Sequence, residues 1–191
     1  MKSWKLNKIL RKIFSVAVAL LLASSGYSQK EAYFFKRGQM KYMQQDYKGA
    51  IDNYSRAIEE NPNNEELYFS RGMAKTSLSD YQGAIDDFDV CIKINPELSR
   101  YYHYRGTAKY GLMDYKGALD DYSKAIEINP RQSVAYNNRG LVRDKLQDYD
   151  GAISDFNMAL EINPNYAYAY NNRGLIKMEL QDLNEAFDDF T

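Results

Sequence analysis

SVAYNNRGLVRDKLQDYDGAISDFNMALEINPNY, residues 133–166, recurs with variation along most of the chain. Arg-Gly pairs fall at Arg37-Gly38, Arg71-Gly72, Arg105-Gly106, Arg139-Gly140 and Arg173-Gly174, each 34 residues from the next. Pro62, Pro96, Pro130 and Pro164 keep the same spacing. Self-similarity at this period indicates stacked helix–turn–helix units, each burying its apolar face against its neighbours. The repeats are residues 31–64, 65–98, 99–132, 133–166 and 167–191, the last incomplete. The fold class this implies is an all-α solenoid of about five antiparallel helix pairs.

Within the quoted block, Ala135, Arg139, Val142 and Leu146 fall on one helical face, with Tyr136, Gly140 and Arg143 beside it. A turn follows at Gln147-Asp148, and Asp148 is placed to cap a second helix by accepting first-turn N–H groups. Asp46, Asp80, Asp114 and Asp182 hold the same place. Asn163-Pro164 ends the second helix. Asparagine tolerates a left-handed terminal conformation, and proline disfavours helix before it. Helices are therefore expected near 31–44, 47–61, 65–78, 81–95, 99–112, 115–129, 133–146, 149–163, 167–180 and 183–190. Mid-helix Gly38, Gly72, Gly106, Gly140 and Gly174 accept a cost of about 1 kcal/mol relative to alanine. They are expected to meet Ala50, Ala84, Ala118, Ala152 and Ala186 where paired helices cross. Tyr54, Phe88, Tyr122, Phe156 and Phe190 would add bulk toward the next repeat.

Arg71, Arg105, Arg139 and Arg173 are each followed 16 residues later by Asp87, Asp121, Asp155 and Asp189. On antiparallel paired helices this spacing puts cation and carboxylate on facing elements, so ion pairs are expected. The arginine stems would pack along the helix pair. Arg37 faces Asn53 instead, which makes the first repeat the weakest case.

The composition narrows the function classes. The 25 basic and 26 acidic residues nearly cancel, but five of the basic ones fall in residues 1–28, which carry no acid, leaving a net charge of −6 on the rest. That sign offers no general attraction for nucleic acid. The 18 tyrosines recur mostly at fixed repeat positions, which indicates helix packing. Cys91 stands where other repeats have Ala57, Ala125 and Ala159, and reads as a small buried filler. The only histidine, His103, has no second histidine or cysteine near it, so no metal site is expected. Asp86-Asp87, Asp120-Asp121 and Asp188-Asp189 recur with the repeat and read as structural. There is no glycine-rich phosphate loop and no nucleophile–base motif. The expectation is a non-enzymatic protein with no cofactor.

The N-terminus differs in kind. A basic stretch, Lys2 to Lys12, precedes an apolar run, Ile13 to Ala23, and then the small polar Ser24-Ser25-Gly26-Tyr27-Ser28. This order is the pattern of a secretory signal peptide over 1–28, with cleavage after Ser25 or Ser28. The run is short for a membrane span, which takes roughly 20 apolar residues. An uncleaved N-terminal anchor is the alternative, and it is the only membrane attachment expected. Either reading exports the repeats, as a periplasmic or secreted protein or one anchored facing outside the cytoplasm. No capping element is visible at the C-terminal end, so the chain also reads as the N-terminal part of something longer.

The repeats resemble the tetratricopeptide repeat family. Its signature of an aromatic, glycine, alanine, aromatic, alanine and proline at set spacings is met by Tyr136, Gly140, Ala152, Phe156, Ala159 and Pro164, with similar residues in the other complete blocks. The likeness covers about residues 31–191. One departure is cationic: the family often has leucine before the glycine and tyrosine three residues after it, where this block has Arg139 and Arg143. The resemblance implies a right-handed solenoid that binds a protein or peptide in a concave groove lined by the first helices. By helical phase the groove residues would be Phe35, Gln39 and Tyr42; Phe69, Met73 and Thr76; His103, Thr107 and Tyr110; Asn137, Asn138, Leu141 and Asp144; and Asn171, Asn172, Leu175 and Met178. The asparagines could donate to and accept from a peptide backbone. Some relatives grip a terminal carboxylate with a lysine–asparagine clamp. Of the corresponding places here only Arg100 is suitable, so that function is not expected. Two classes remain: an extracytoplasmic protein-binding scaffold, and the sensory or docking region of a longer signalling or enzymatic chain.

Overall fold

The computed structural model describes residues 29–190. The signal peptide expected over 1–28 lies outside the described residues. Ten helices make up the described chain: α1 (29–43), α2 (Tyr47–Glu60), α3 (Glu65–Ser77), α4 (Tyr81–Ile94), α5 (Ser99–Gly111), α6 (Tyr115–Ile128), α7 (Ser133–Lys145), α8 (Tyr149–Ile162), α9 (Ala167–Glu179) and α10 (Leu183–Phe190). No strand occurs among the described residues. The result is an all-α helical-repeat solenoid. It divides into two compact units, one ending at Arg71 and one beginning at Gly72.

The two kinds of helix end differently. Each first helix closes on a left-handed residue: Gln45, Ser79, Met113, Gln147 and Gln181 have φ of 60° to 68°. The Gln147 N–H donates to the Asp144 carbonyl at 2.9 Å and the Asp148 N–H to the Arg143 carbonyl at 2.9 Å. That bond pair is the 5→2 and 6→1 closure that satisfies the last free carbonyls of a helix. Asp148 then starts α8, its carboxylate accepting from the Gly151 N–H at 3.1 Å. One aspartate thus finishes one helix and caps the next. Asp46, Asp80 and Asp114 do the same for α2, α4 and α6.

The asparagines that end the second helices are not left-handed, contrary to expectation. Asn61, Asn95, Asn129 and Asn163 have φ from −144° to −135°. The proline that follows each one pushes it toward extended backbone. Each side chain instead accepts the N–H two residues on, as Asn163 does from Asn165 at 3.2 Å. The turn is held by that local bond.

Small residues set the packing, with a different pairing from the one expected. A methyl group on Gly140 would lie 2.7 Å from the Phe156 ring, on Gly72 2.8 Å from Phe88, on Gly174 2.8 Å from Phe190, and on Gly38 2.5 Å from Tyr54. The aromatic residues therefore lie against the glycine of their own repeat, and the missing side chain is what admits the ring. Ala118, Ala152 and Ala159 are completely buried, as is Cys91. In the C-terminal unit, Ile126, Ala135, Tyr136, Phe156, Leu160 and Ile176 form one apolar cluster drawn from three successive repeats. This is the stacking that a repeat needs to bury its apolar face.

The cationic departure becomes a buried ion cluster. Arg139 Nε lies 2.9 Å from Asp155 and Arg105 Nε 2.9 Å from Asp121, and Arg173 binds Asp189 in the same way. A second cation meets each carboxylate from one turn further along the first helix. Lys109 is 2.9 Å from Asp121, Arg143 2.9 Å from Asp155, and Lys177 3.2 Å from Asp189. Asp155 is only 2% exposed. Burial alone would raise the Asp189 carboxyl, but the hydrogen bonds from Arg173 and Lys177 outweigh it and hold it below the ordinary carboxylate range. Each arginine also reaches back 16 residues to the preceding second helix: Arg71 to Ser55, Arg105 to Asp89, Arg139 to Ser123 and Arg173 to Asn157. Its guanidinium lies over the aromatic ring three positions earlier, as Arg139 over Tyr136 at 5.5 Å. One side chain joins two repeats and packs against a ring. In the first repeat, Asn53 turns its amide to the Gly49 carbonyl, and Arg37 donates to Tyr33.

Candidate functional site

The first helices carry the residues assigned to the groove, and each unit presents its own set. In the N-terminal unit, Phe35 is half-buried with its ring 5.9 Å from that of Tyr54, and Tyr42 lies 5.3 Å from Tyr47. Phe69 is half-buried and Gln39 exposed.

In the C-terminal unit the polar members are tied together. The Asn172 amide donates to Asn137 at 3.0 Å, and the Asn137 amide donates to Asn138 at 3.2 Å. Asn138 bonds the Tyr122 hydroxyl, which lies 3.0 Å from the Thr107 hydroxyl. Thr107 donates to the His103 carbonyl at 3.1 Å. The result is a single-file chain of donors crossing three repeats, with every bond polarising the next. Burial, opposed by those two hydrogen bonds, pushes the Tyr122 phenol up to about 12, so it stays a neutral donor. Asn137, expected to offer its amide to a peptide, is 4% exposed with both ends of that amide used. Thr76 is half-buried, its hydroxyl donating to the Gly72 carbonyl of its own helix at 2.9 Å. Met73 and Tyr110 are half-buried, Tyr110 with its ring 5.5 Å from Tyr115.

The surface that remains is mostly apolar. Leu175 and Met178 on α9 are 50% and 51% exposed, and Asn171 is exposed beside them. Leu141, Asp144, Asn172 and Leu175, all assigned from helical phase, meet around one cavity of about 130 Å³, with Phe156, Ile176 and Glu179 completing it. An acidic rim on an apolar floor suits an apolar side chain flanked by a cation. Asp144 is bonded to Lys145 at 3.0 Å and Glu179 to the Tyr149 hydroxyl at 2.8 Å, so both carboxylates are fixed in place. His103 lines a different cavity, of about 330 Å³, with Arg100, Tyr104, Arg131 and the start of α7. Helical phase did not reach Arg131, because it lies in the loop before α7; its signal is a lone cation after the conserved-spacing Asn129-Pro130 pair. It equally missed Tyr122, whose second-helix ring looked like core alone.

Among the described residues no cluster of three or more histidine, cysteine, aspartate or glutamate side chains is arranged to hold a metal, and no helix is long and apolar enough to cross a membrane.

Tetratricopeptide repeat family models match residues 65–98 and 133–166, and a TPR repeat model matches residues 38–78. No curated protein matches the chain significantly. Among solved structures, MamA is similar at 26% identity, covering 80% of this chain and 90% of its own, with a TM-score of 0.75. The first TPR of Spaghetti (RPAP3), bound to an HSP90 peptide, is similar at 27% identity over 63% of this chain and 95% of its own, with a TM-score of 0.61. YrrB, a TPR protein described as having an unusual peptide-binding site, shares the fold at 21% identity, covering 82% of this chain and 80% of its own, with a TM-score of 0.67. The matched repeats, together with helices paired as described, support this chain as a tetratricopeptide repeat protein.

Proposed function

We propose that this protein is an exported interaction scaffold whose first helices bind a polypeptide segment and perform no chemistry. The observation that carries the reading is the α7–α9 surface: two half-exposed apolar side chains, Leu175 and Met178, beside a small cavity with a fixed acidic rim. Apolar side chains on a rigid, concave support are the usual anchors of a peptide interface. The asparagine chain beneath holds α7 and α9 in register, so the surface is preorganised and little ordering is required on binding. Support comes also from the similar TPR domain of Spaghetti, whose structure holds a peptide. Export rests on the basic, apolar and small-residue order of residues 1–28. N-terminal sequencing of the mature protein checks it: a chain beginning at residue 26 or 29 fits export with cleavage, and an intact Met1 on a soluble intracellular product contradicts export.

The binding reading is tested with Leu175→Glu/Met178→Glu and a control, Glu127→Lys, at an exposed site on α6. Partners captured by the wild type should bind at least tenfold more weakly to the groove variant, because charge replaces two apolar anchors, and normally to the control. Equal capture by a groove variant of unchanged helicity would refute it.

A further inference from the structure

Tyr33 and Met40 of α1 stand, at the 34-residue period, where later first helices are closed off. The equivalents of Tyr33 are Leu67, Tyr101, Ala135 and Ala169, all completely buried, and those of Met40 include Ala108, Val142 and Ile176, nearly or completely buried. In the C-terminal unit the preceding second helix covers this face: Ala135 clusters with Ile126, and Val142 with Ala118 and Tyr122. On α1, Tyr33 is 58% and Met40 53% exposed. Met43, almost one turn on, is 83% exposed, whereas its equivalents Gly111 and Glu179 meet Tyr81 and Tyr149. One face of α1 therefore has the composition of a repeat junction, with no second helix on it among the described residues. Arg37 lies on that face and differs from its equivalents in charge balance. Arg105, Arg139 and Arg173 each bind a carboxylate of their own repeat and also reach Asp89, Ser123 or Asn157 on the preceding second helix. Arg37 has neither among the described residues. Asn53 stands where the carboxylate would be, with its amide donating to the Gly49 carbonyl at 2.7 Å, and exposed Arg37 donates to the Tyr33 hydroxyl at 3.1 Å.

We infer that this face of α1 docks an acidic amphipathic helix of a partner polypeptide, with its apolar side chains on Tyr33, Met40 and Met43 and a carboxylate on Arg37. The array shows what fits such a face, because α4 on α5, α6 on α7 and α8 on α9 each seat a helix of this kind. Arg37 selects the acid. A guanidinium enclosed in a junction needs an anion, and with Asn53 in its own repeat the incoming helix must supply one. Residues 13–23 of this chain do not fit: they hold no acid, and Leu21 stands 16 residues before Arg37, where later repeats have Ser55, Asp89, Ser123 and Asn157. The α1 helix of a second copy does not fit either, because it would bring Lys36 and Arg37 against the same cations.

The inference does not rest on the groove reading, because its surface and its probe are separate from the groove. The probe is a fluorescein-labelled peptide of residues 80–96 carrying Cys91→Ala. It reproduces α4, which seats on α5 and whose Asp89 accepts from Arg105 at 2.6 Å. Titration with the intact protein should raise its anisotropy saturably. Arg37→Gln in the protein and Asp89→Asn in the peptide should each weaken binding about tenfold, as expected for a lost charge-assisted hydrogen bond. The two together should cost no more than either alone. Met40→Asp, at an exposed position and with helicity unchanged by circular dichroism, should abolish binding, and Lys48→Gln, exposed on α2, should leave it unchanged. Absence of saturable binding, binding indifferent to Met40→Asp, or equal affinity of the Asp89→Asn peptide would each overturn the inference. Sedimentation showing that the protein alone is a dimer dissociated by Met40→Asp would also overturn it, by giving the face to a second copy.

Discussion

Asp155 illustrates what a single residue does here. It is buried, and Arg139 and Arg143 both bond it. Breaking a buried pair by removing one partner leaves uncompensated charge and typically costs about 3–5 kcal/mol. Asp155→Asn should therefore lower stability by about that amount in urea unfolding, while Asp150→Asn, on the surface of α8, should change it by less than about 0.5 kcal/mol. Equal small losses would show that the cluster contributes nothing to stability. The sequence disclosed this pair through its 16-residue spacing. It did not disclose the backward reach of each arginine, because the acceptors Ser55, Asp89, Ser123 and Asn157 share polarity but no chemical type. The left-handed turn residues were also hidden. Gln147 and Met113 carry no side-chain signal for positive φ, and the asparagines that do carry one stand before proline. A non-glycine residue in that region costs about 1–2 kcal/mol, partly offset by the backbone freedom that glycine loses on folding. Gln147→Gly should thus raise stability by about 0.5–1 kcal/mol and Gln147→Val should lower it, as read from the unfolding midpoint; the reverse order would show that the turn is not left-handed.

The helices themselves were legible almost to the residue. Caps, periodicity and proline placement all act locally, and in this chain they agree. The expected second helices run one residue too long, because the terminal asparagine is already extended at Asn95, Asn129 and Asn163. What periodicity could not give was the partner of each mid-helix glycine, since that depends on how two helices are rotated against each other. The structure makes those glycines unequal. A Cβ on Gly140 would meet Phe156 at 2.7 Å, whereas one on Gly106 would meet Asp121 and Tyr122 at 3.2 Å. Alanine would improve helix propensity by about 1 kcal/mol at either site. Overpacking costs about 1–3 kcal/mol where the neighbour cannot move. Gly140→Ala should accordingly be destabilising by thermal melting and Gly106→Ala close to neutral. Equal effects would mean that the aromatic rings do not rest on the glycines.

Across the molecule, the repeat period alone established the solenoid, because a helix pair of this kind cannot bury its apolar face without a neighbour. The arrangement of the candidate groove residues was legible only in part. Leu141, Asp144, Asn172 and Leu175 were assigned from phase and do meet around one cavity. Asn137 shares that phase but is drawn beneath the surface by Asn138 and Asn172, a consequence of contacts between repeats that no single helix encodes. An interaction scaffold of this build should contact its partner from α9 and not from the exposed side of α6. The most direct test places a photo-crosslinking amino acid at position 175 or, separately, at position 127, in the intact protein in its own cells. The account predicts covalent adducts to a polypeptide from position 175 and none above background from position 127. Adducts from position 127 with none from position 175 would contradict it.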